Sequence, residues 1–150
     1  MIFFDRSILK GVVDAVKLVR HDNPVWLEDV FPLNTSIGET EWMPVIGDYG
    51  WLTVMRDMRV LTRPQERRAV STSNLGCFNF NYKKNKSRWQ TLQLVCSTLD
   101  EMEEKFANTQ RPFMYVVNGN GAFKPVDLSR PYGPRPARFP GGSPGPSSPR

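Results

Sequence analysis

The chain has 150 residues, a formal charge of +5 and two cysteines, Cys77 and Cys96. This length is enough for one domain with a buried core, and the cysteine spacing matches neither a zinc motif nor a disulfide framework. No apolar run approaches the roughly 20 residues needed to cross a bilayer, and Asp5 and Arg6 interrupt the N-terminus before a signal sequence could form. We therefore expect a soluble, cytoplasmic protein.

The first third of the chain alternates short apolar runs with helical patterns. Apolar side chains that recur every three or four positions indicate an amphipathic helix, and short apolar runs between breakers indicate buried strands. The predicted elements are a strand at residues 2–4, a helix at 7–20, a strand at 25–27, a short helix packed through Trp42, Val45 and Ile46, and a strand at 51–55. This order is typical of parallel strands joined by helices.

The next part of the chain continues the alternation and ends in a hairpin. The predicted elements are a helix at 65–73 with Pro64 in its first turn, a strand at 77–80, a long helix from Arg88 with Leu92, Val95, Cys96, Leu99, Met102 and Phe106 on its apolar face, and two strands at 113–117 and 122–124 joined by a glycine-containing turn. The whole pattern predicts an α/β fold, with a mostly parallel central sheet flanked by helices and a C-terminal antiparallel hairpin.

Residues 129–150 differ in composition from the rest of the chain. They contain seven Pro, four Gly and four Ser, with Tyr132 and Phe139 as the large apolar side chains. Such a segment cannot bury enough apolar area to offset its ordering entropy. We therefore place the folded domain at residues 1–128 and predict a disordered tail at 129–150.

Charge is segregated along the chain. Residues 1–55 contain four Lys or Arg against eight Asp or Glu, whereas residues 56–88 contain nine basic residues against two acidic ones. An acidic part beside a basic part is what a metal-dependent site needs when its substrate is a polyanion. Within the basic part, Lys83, Lys84 and Lys86 either contact a nucleic-acid backbone or form a solvated loop.

Acidic residues follow two of the predicted strands and begin one predicted helix. Asp5 follows the first strand, Asp57 follows the strand at 51–55, and Glu39 stands at the helix start. Because the carboxyl ends of parallel strands share one edge of a sheet, these acids can meet in one cluster. Adjacent carboxylates repel unless a cation lies among them, and oxygen ligands of this kind suit Mg²⁺ or Mn²⁺. The pattern predicts a metal site that acts on phosphates.

Other polar side chains near these acids have more than one interpretation. Arg6 and Arg59 flank two of the acids, and they either grip a phosphate or balance the carboxylates. Ser7 follows Asp5 and is expected to cap the first helix. The single histidine, His21, is expected at the C-terminal end of that helix rather than in catalysis.

Five segments of the sequence stand in a recognisable order. They are Phe3-Phe4-Asp5-Arg6, Glu39-Thr40-Glu41-Trp42, Gly50-Trp51-Leu52 leading to Arg56-Asp57-Met58-Arg59-Val60, Arg63-Pro64-Gln65-Glu66, and Phe78-Asn79-Phe80. From about residue 2 to residue 126 this ordered set resembles the PIN-like domain of VapC-type toxins, which are divalent-metal-dependent ribonucleases of toxin–antitoxin modules. The resemblance implies RNA cleavage, a Mg²⁺ or Mn²⁺ cofactor and a cognate antitoxin as partner, with a homo-oligomer as a further possibility.

The resemblance also assigns roles to individual residues. It implies that three acids are both catalytic and metal-binding, namely Asp5, Glu39 and Asp57. The family usually has an aspartate where this chain has a glutamate at position 39, and commonly a threonine where it has Met55. A fourth acid of many PIN domains has no clear match, and Glu66 and Asp48 are candidates by residue type. A carboxylate-held metal ion can activate water and neutralise phosphoryl oxygens without a histidine.

Two alternatives come from other functional classes. The methionine at position 55 and the lack of a matched fourth acid would suit a PIN-like binding or regulatory module without activity. A phospho-receiver domain also places acids after two strands, and Lys124-Pro125 resembles its lysine segment. Receivers, however, usually have two adjacent acids where this chain has Asp5-Arg6, so we rank this alternative last.

Overall fold

The computed structural model describes residues 1–20, 23–33, 36–83 and 85–129, which form one six-stranded sheet with helices on both faces. Its strands are β1 (Ile2–Phe4), β2 (Pro24–Trp26), β3 (Leu52–Met55), β4 (Gly76–Asn81), β5 (Phe113–Asn118) and β6 (Phe123–Pro125). Its helices are α1 (Lys10–Val19), α2 (Leu27–Val30), α3 (Glu39–Tyr49), α4 (Arg59–Thr62), α5 (Pro64–Thr72) and α6 (Arg88–Asn108). The predicted α/β fold is confirmed.

The sheet order places the ends of β1 and β3 side by side. The strands run in the order β2-β1-β3-β4-β5-β6, and all neighbours are parallel except the antiparallel pair β5 and β6. Phe4 of β1 is in register with Val54 of β3. The strand order reverses direction between these two strands, and in open α/β sheets ligands bind at such a switch point, outside the carboxyl ends of the strands. Asp5 and Asp57 follow those two ends.

Alternate strand residues face two separate cores. Ile2 and Phe4 pack with α1 and α6 on one face of the sheet, whereas Phe3 packs with α3 and α5 on the other. The helices of each face also contact each other, α1 with α6 and α3 with α5. Burial on both faces explains why the central strands are continuous apolar runs instead of alternating apolar and polar residues.

Local signals fix the ends of several helices. Helix α3 is followed by Gly50, its C-cap residue, whose φ of 69° lies in the left-handed region that glycine adopts most readily. Pro64 occupies the first turn of α5, where a missing N–H costs nothing. Before α6, the Ser87 hydroxyl accepts a hydrogen bond from the Gln90 backbone N–H at 3.1 Å. Pro64 and the start at Arg88 agree with the sequence prediction.

Some details of the sequence prediction are wrong. Ser7 does not cap the first helix, which begins at Lys10 with Leu9 in the N-cap position. Cys96 is exposed, because the buried stripe of α6 runs along neighbouring positions such as Val95 and Leu99. The short helices α2 and α4 were not predicted, because four residues show no periodicity, and Leu27, predicted as the end of the second strand, is the first residue of α2.

Several predictions fall on residues 21, 22, 34, 35, 84 and 130–150, which are outside the described part of the chain. His21, Lys84 and nearly all of the predicted tail are among them. The division into a domain at 1–128 and a tail at 129–150 therefore stays a prediction. Of the helices in the described ranges, none is long and apolar enough to cross a membrane.

Candidate functional site

Asp5 directly follows β1 and is held against the segment after β3. Its backbone N–H donates to the Val54 carbonyl at 2.9 Å, which extends the pairing of the two strands. Its Oδ2 atom accepts from the Ser7 hydroxyl at 2.7 Å. The same hydroxyl oxygen accepts from the Arg56 backbone N–H at 2.8 Å. Ser7 therefore connects the Asp5 carboxylate to the other strand end instead of capping a helix.

Asp57 is held by the side chain of Asn79 in β4. The Asp57 backbone N–H donates to Asn79 Oδ1 at 2.9 Å, and Asn79 Nδ2 donates to the Asp57 carbonyl at 2.8 Å. Asn79 is fully buried, so these two bonds satisfy groups that water does not reach. The amide thus takes the place of a partner strand beyond the end of β3 and fixes the backbone that presents the Asp57 carboxylate.

Arg59 clamps the Asp57 carboxylate from the start of α4. Its Nε donates to Oδ1 at 3.0 Å and its Nη2 to Oδ2 at 2.9 Å, a two-pronged ion pair. The same Nη2 lies 3.3 Å from Oε1 of Glu39. Asp57 is buried, whereas the Arg59 side chain is 55% exposed. One guanidinium therefore balances two carboxylates and still reaches solvent.

Glu39 enters the cluster as the first residue of α3. Its side chain is 18% exposed and points to Arg59 and Asp57. The neighbouring Glu41 has a different role, because its Oε1 accepts from the Gly38 backbone N–H at 3.2 Å and so caps the helix. Of these two glutamates, Glu39 therefore lines the pocket with the other acids and Glu41 does not.

The charged groups shift each other's pKa values. Burial raises the pKa of Glu39, and contact with Asp57 raises it further. Burial would also raise the pKa of Asp57, but hydrogen bonds from Arg59 and from the Glu39 carboxyl hold it below its ordinary value. The hydrogen bond to Asp57 and the charges of both acids raise the pKa of the Arg59 guanidinium. The shifts of the two acids therefore have opposite directions, upward for the pKa of Glu39 and downward for that of Asp57.

These three acids line one pocket of about 230 Å³, which we call the carboxylate pocket. Its lining residues are Asp5, Arg6, Ser7, Ile37, Glu39, Trp42, Arg56, Asp57 and Arg59. Acids from β1, α3 and β3 thus share a small opening with three arginines. A pocket with this mixture can attract an anion through its arginines while its carboxylates hold a cation or a proton.

A divalent cation fits the carboxylate pocket by ligand type. Carboxylate oxygens are what Mg²⁺ and Mn²⁺ bind in proteins. Within the described ranges, however, no three or more His, Cys, Asp or Glu side chains are placed to hold a metal ion. In addition, Arg59 donates to both Asp57 carboxylate oxygens and to one Glu39 oxygen. Its side chain would have to move before all three acids could share one ion.

Of the two candidates for a fourth acid, Glu66 is the one near the cluster. Its charge contributes to the raised pKa of Glu39. It is buried in α5 and pairs with Arg63 at 3.4 Å. Its Oε2 atom has no hydrogen-bond partner among the described residues. Asp48, by contrast, is exposed near the opposite end of α3 from Glu39.

The basic residues expected to contact substrate fall into different surroundings. Arg6 lines the carboxylate pocket and lies 3.7 Å from Glu28. Lys83 is exposed, and Lys84 is outside the described residues. Lys86 lies beside an aromatic ring, with its Nζ 5.2 Å from the centroid of Tyr82. The predicted basic run is therefore not one uniform surface.

Sequence reasoning missed two residues that shape the pocket. Asn79 was part of a motif but had no assigned role, although a polar residue inside an apolar strand is a recognisable signal of a buried hydrogen bond. Arg56 lines the pocket, and only its place in a basic segment marked it. Lys124, the residue that suggested a receiver domain, lies in β6 and does not line the carboxylate pocket.

Comparison with known families supports the ordered motifs. Residues 1–82 match the family model described as PIN like domain. This range covers more than half of the chain, runs from β1 through β4, and includes all three acids together with Asn79. No curated protein and no solved structure matches the chain. PIN-like domains are commonly nucleases.

Proposed function

Because this chain belongs to the PIN-like domain family, we propose that it is a divalent-metal-dependent endoribonuclease that hydrolyses phosphodiester bonds in RNA. The observation that carries the proposal is the meeting of Asp5, Glu39 and Asp57, from three separate elements, in one pocket with arginines. Buried acids cost folding free energy, so buried Asp5 and Asp57 beside half-buried Glu39 at a strand switch point indicate a function rather than packing.

In this proposal, Asp5, Glu39 and Asp57 would hold a Mg²⁺ or Mn²⁺ ion. When bound, such an ion supplies an activated water and neutralises charge on the phosphoryl oxygens. Asn79 orients the Asp57 backbone, and Ser7 orients the Asp5 carboxylate. Arg6 and Arg56 would attract the phosphate to the pocket.

The role of Arg59 changes with the charge of the cluster. While no other cation is bound, the guanidinium balances Asp57 and Glu39. An ion held by the carboxylates would weaken their attraction for Arg59, and its largely exposed side chain would then be able to contact a phosphate oxygen. The two interpretations of Arg59, balancing acids and gripping phosphate, then describe two states of one residue.

A finer assignment within the family is also proposed. We propose the VapC type, a cytoplasmic toxin held inactive by a cognate antitoxin, with self-association as a further possibility. Its support is the order of the five sequence segments. A small neighbouring reading frame that encodes a DNA-binding protein would support this assignment, provided that the encoded protein co-purifies with this chain and abolishes its RNA cleavage. An antitoxin-free genetic context would count against it.

The second candidate is a PIN-like binding module that has lost activity. The specific observation in its favour is that Arg59 engages two of the three acids, so the described residues present no ready-made set of three ligands. Met55, which is buried where the family commonly has threonine, adds to it. This candidate predicts RNA or protein binding that is independent of divalent ions.

Cleavage of a fluorescent single-stranded RNA separates the two candidates. The purified chain should cut it in Mg²⁺ or Mn²⁺ and stop when EDTA is added. Asp5→Asn should lower the rate by about 100-fold or more, because the amide can still accept from Ser7 but supplies no negative charge for the ion. The matched control is Asp48→Asn, an exposed acid outside the pocket, which should cut at the parent rate.

Two results would contradict the nuclease. One is an Asp5→Asn variant that cuts as fast as the parent. The other is a parent chain that is folded but inert with both ions, which would favour the binding module. Melting curves of all three proteins would confirm that the variants fold.

A further inference from the structure

Tyr82, in the segment between β4 and α6, has two cations against its ring. The Arg56 guanidinium carbon lies 4.1 Å from the ring centroid and Lys86 Nζ lies 5.2 Å from it. Arg56 Nη2 also lies 3.5 Å from the Tyr82 carbonyl oxygen. We call Arg56, Tyr82 and Lys86 the Tyr82 clamp. All three are half-buried, so their side chains are restrained more than those of a free surface loop.

The positive charge of the Tyr82 clamp has no acidic partner within the described residues. The ion pairs found there involve other basic residues, namely Arg6, Lys10, Lys17, Arg20, Arg59, Arg63 and Lys105. The tyrosine ring offsets part of each charge through its negative face. Two cations at one ring nevertheless repel each other, so binding of an anion beside them is favoured.

The Tyr82 clamp also connects two openings of the surface. Arg56 lines the carboxylate pocket. Lys86 lines a second pocket of about 300 Å³ whose other side chains are mainly amides and a hydroxyl, including Gln90, Gln93 and Ser97. A polyanion that leaves the carboxylate pocket past Arg56 therefore meets Lys86 and then hydrogen-bonding groups.

We infer that the Tyr82 clamp grips the phosphates of single-stranded RNA next to the bond that is cut, an inference that rests on the proposed nuclease function. Tyr82 is a positioning residue that holds the two cations in place. A single strand fits because pockets of about 230 and 300 Å³ accept individual nucleotide groups and not the surface of a duplex. Phosphate contacts made by restrained cations, with polar groups beyond them, are typical of single-strand grooves.

A similar contact elsewhere shows which feature matters. Lys105 lies 5.1 Å from the ring centroid of Tyr115 and 5.4 Å from that of Phe123. Its Nζ, however, is 3.5 Å from Glu101, and its surroundings include further acids. A lysine over an aromatic ring is therefore not by itself a phosphate site. The Tyr82 clamp differs because its charge is not neutralised.

The test measures RNA binding without cleavage. Fluorescence anisotropy of a labelled 12-nucleotide single strand is recorded in EDTA across a salt series. Lys86→Gln should weaken binding about fivefold and flatten the salt dependence by about 0.7 in log–log slope, the value for one lost phosphate contact on a single strand. Tyr82→Leu should weaken binding although it removes no charge, because the two cations lose their support.

The matched control is Lys83→Gln. Lys83 is exposed and lies three residues before Lys86, and its replacement removes the same charge. It should weaken binding less than Lys86→Gln does. Equal effects at positions 83 and 86, or a Tyr82→Leu variant that binds like the parent, would overturn the clamp. A parent chain that binds no RNA would also overturn it. So would a parent chain whose labelled RNA is displaced equally by poly-glutamate and by unlabelled RNA. Cleavage assays of the same proteins in Mn²⁺ test the nuclease proposal separately from this binding measurement in EDTA.

Discussion

Two acid-lined pockets of this molecule hold their charges in opposite ways. The larger one, about 540 Å³, lies along the C-terminal half of α6 and includes Asp100, Glu101 and Lys105. We call it the α6 pocket. Asp100 is fully exposed there, so water stabilises its charge together with a surface ion pair to Arg20 at 3.6 Å. In the carboxylate pocket Asp57 is only 7% exposed and depends on Arg59. Burial of the acids, rather than volume, distinguishes a candidate reaction site from a solvated groove.

The largest expected difference is between Asn79, which supports the carboxylate pocket from β4, and Asn108, which lines the α6 pocket. Asn79→Ala should lower the free energy of unfolding by about 2–4 kcal/mol, because it leaves the buried N–H and carbonyl of Asp57 without partners. Asn108 in the α6 pocket bonds only the Glu104 carbonyl from an exposed position, so Asn108→Ala should cost less than about 0.5 kcal/mol. Urea unfolding of both variants checks this, and equal costs would contradict it.

A smaller difference should appear between Arg59 and Lys105. Arg59→Gln removes the counter-charge of a buried carboxylate and should cost about 1–2 kcal/mol at pH 7. Lys105→Gln breaks an exposed pair with Glu101 and should cost under about 0.5 kcal/mol. Chemical unfolding at pH 7 compares them.

The cost of Arg59→Gln should also depend on pH. The pKa of Asp57 is lowered in the fold, so its ion pair stabilises the protein fully above the ordinary value of 3.8 and less as the pH falls through the folded value. The difference in the free energy of unfolding between the parent and Arg59→Gln should therefore shrink in acid. A difference that grows as the pH falls would contradict the ion pair.

The smallest expected effect has the opposite sign. The pKa of Glu39 is raised above 4.5 in the fold, so its contribution to stability is full below that pH and is lost as the pH rises through the raised value. Glu39→Gln should therefore slightly stabilise the chain at pH 7, by less than about 1 kcal/mol. Glu101→Gln breaks the exposed pair with Lys105 and should cost under about 0.5 kcal/mol. Thermal melts at pH 7 and pH 4 test this, and destabilisation by Glu39→Gln at pH 7 would show that its charge is fully compensated.

The positions of the acids were predictable from the sequence, whereas their partners were not. Asp5 and Asp57 follow apolar runs, and parallel sheets bring strand ends together, so a cluster could be expected. The bond from Arg59 to Asp57 depends on the shape of the turn after β3. The sequence shows that these residues are two positions apart, but it does not show this shape. The contact between Arg56 and Tyr82 crosses from the end of β3 to the end of β4 and depends on sheet register.

The fold was predictable to a similar depth. Long periodic segments such as α6 and short apolar strands such as β1 gave clear signals, and both stand where expected. Ser7 was misassigned because a serine before a helix usually caps it, whereas here the chain runs on to Lys10 before the helix starts and the hydroxyl bonds Asp5. Tertiary contacts at the site overrode the local preference.

The most direct test of the account is the binding of Mn²⁺, measured by isothermal titration to the parent and to one acid variant from each pocket. The account predicts about one ion per chain for the parent and the same affinity for Glu101→Gln, but at least about tenfold weaker binding for Asp57→Asn, whose backbone bonds to Asn79 remain available. Equal Mn²⁺ affinity in Asp57→Asn and the parent, or loss of binding in Glu101→Gln alone, would contradict it.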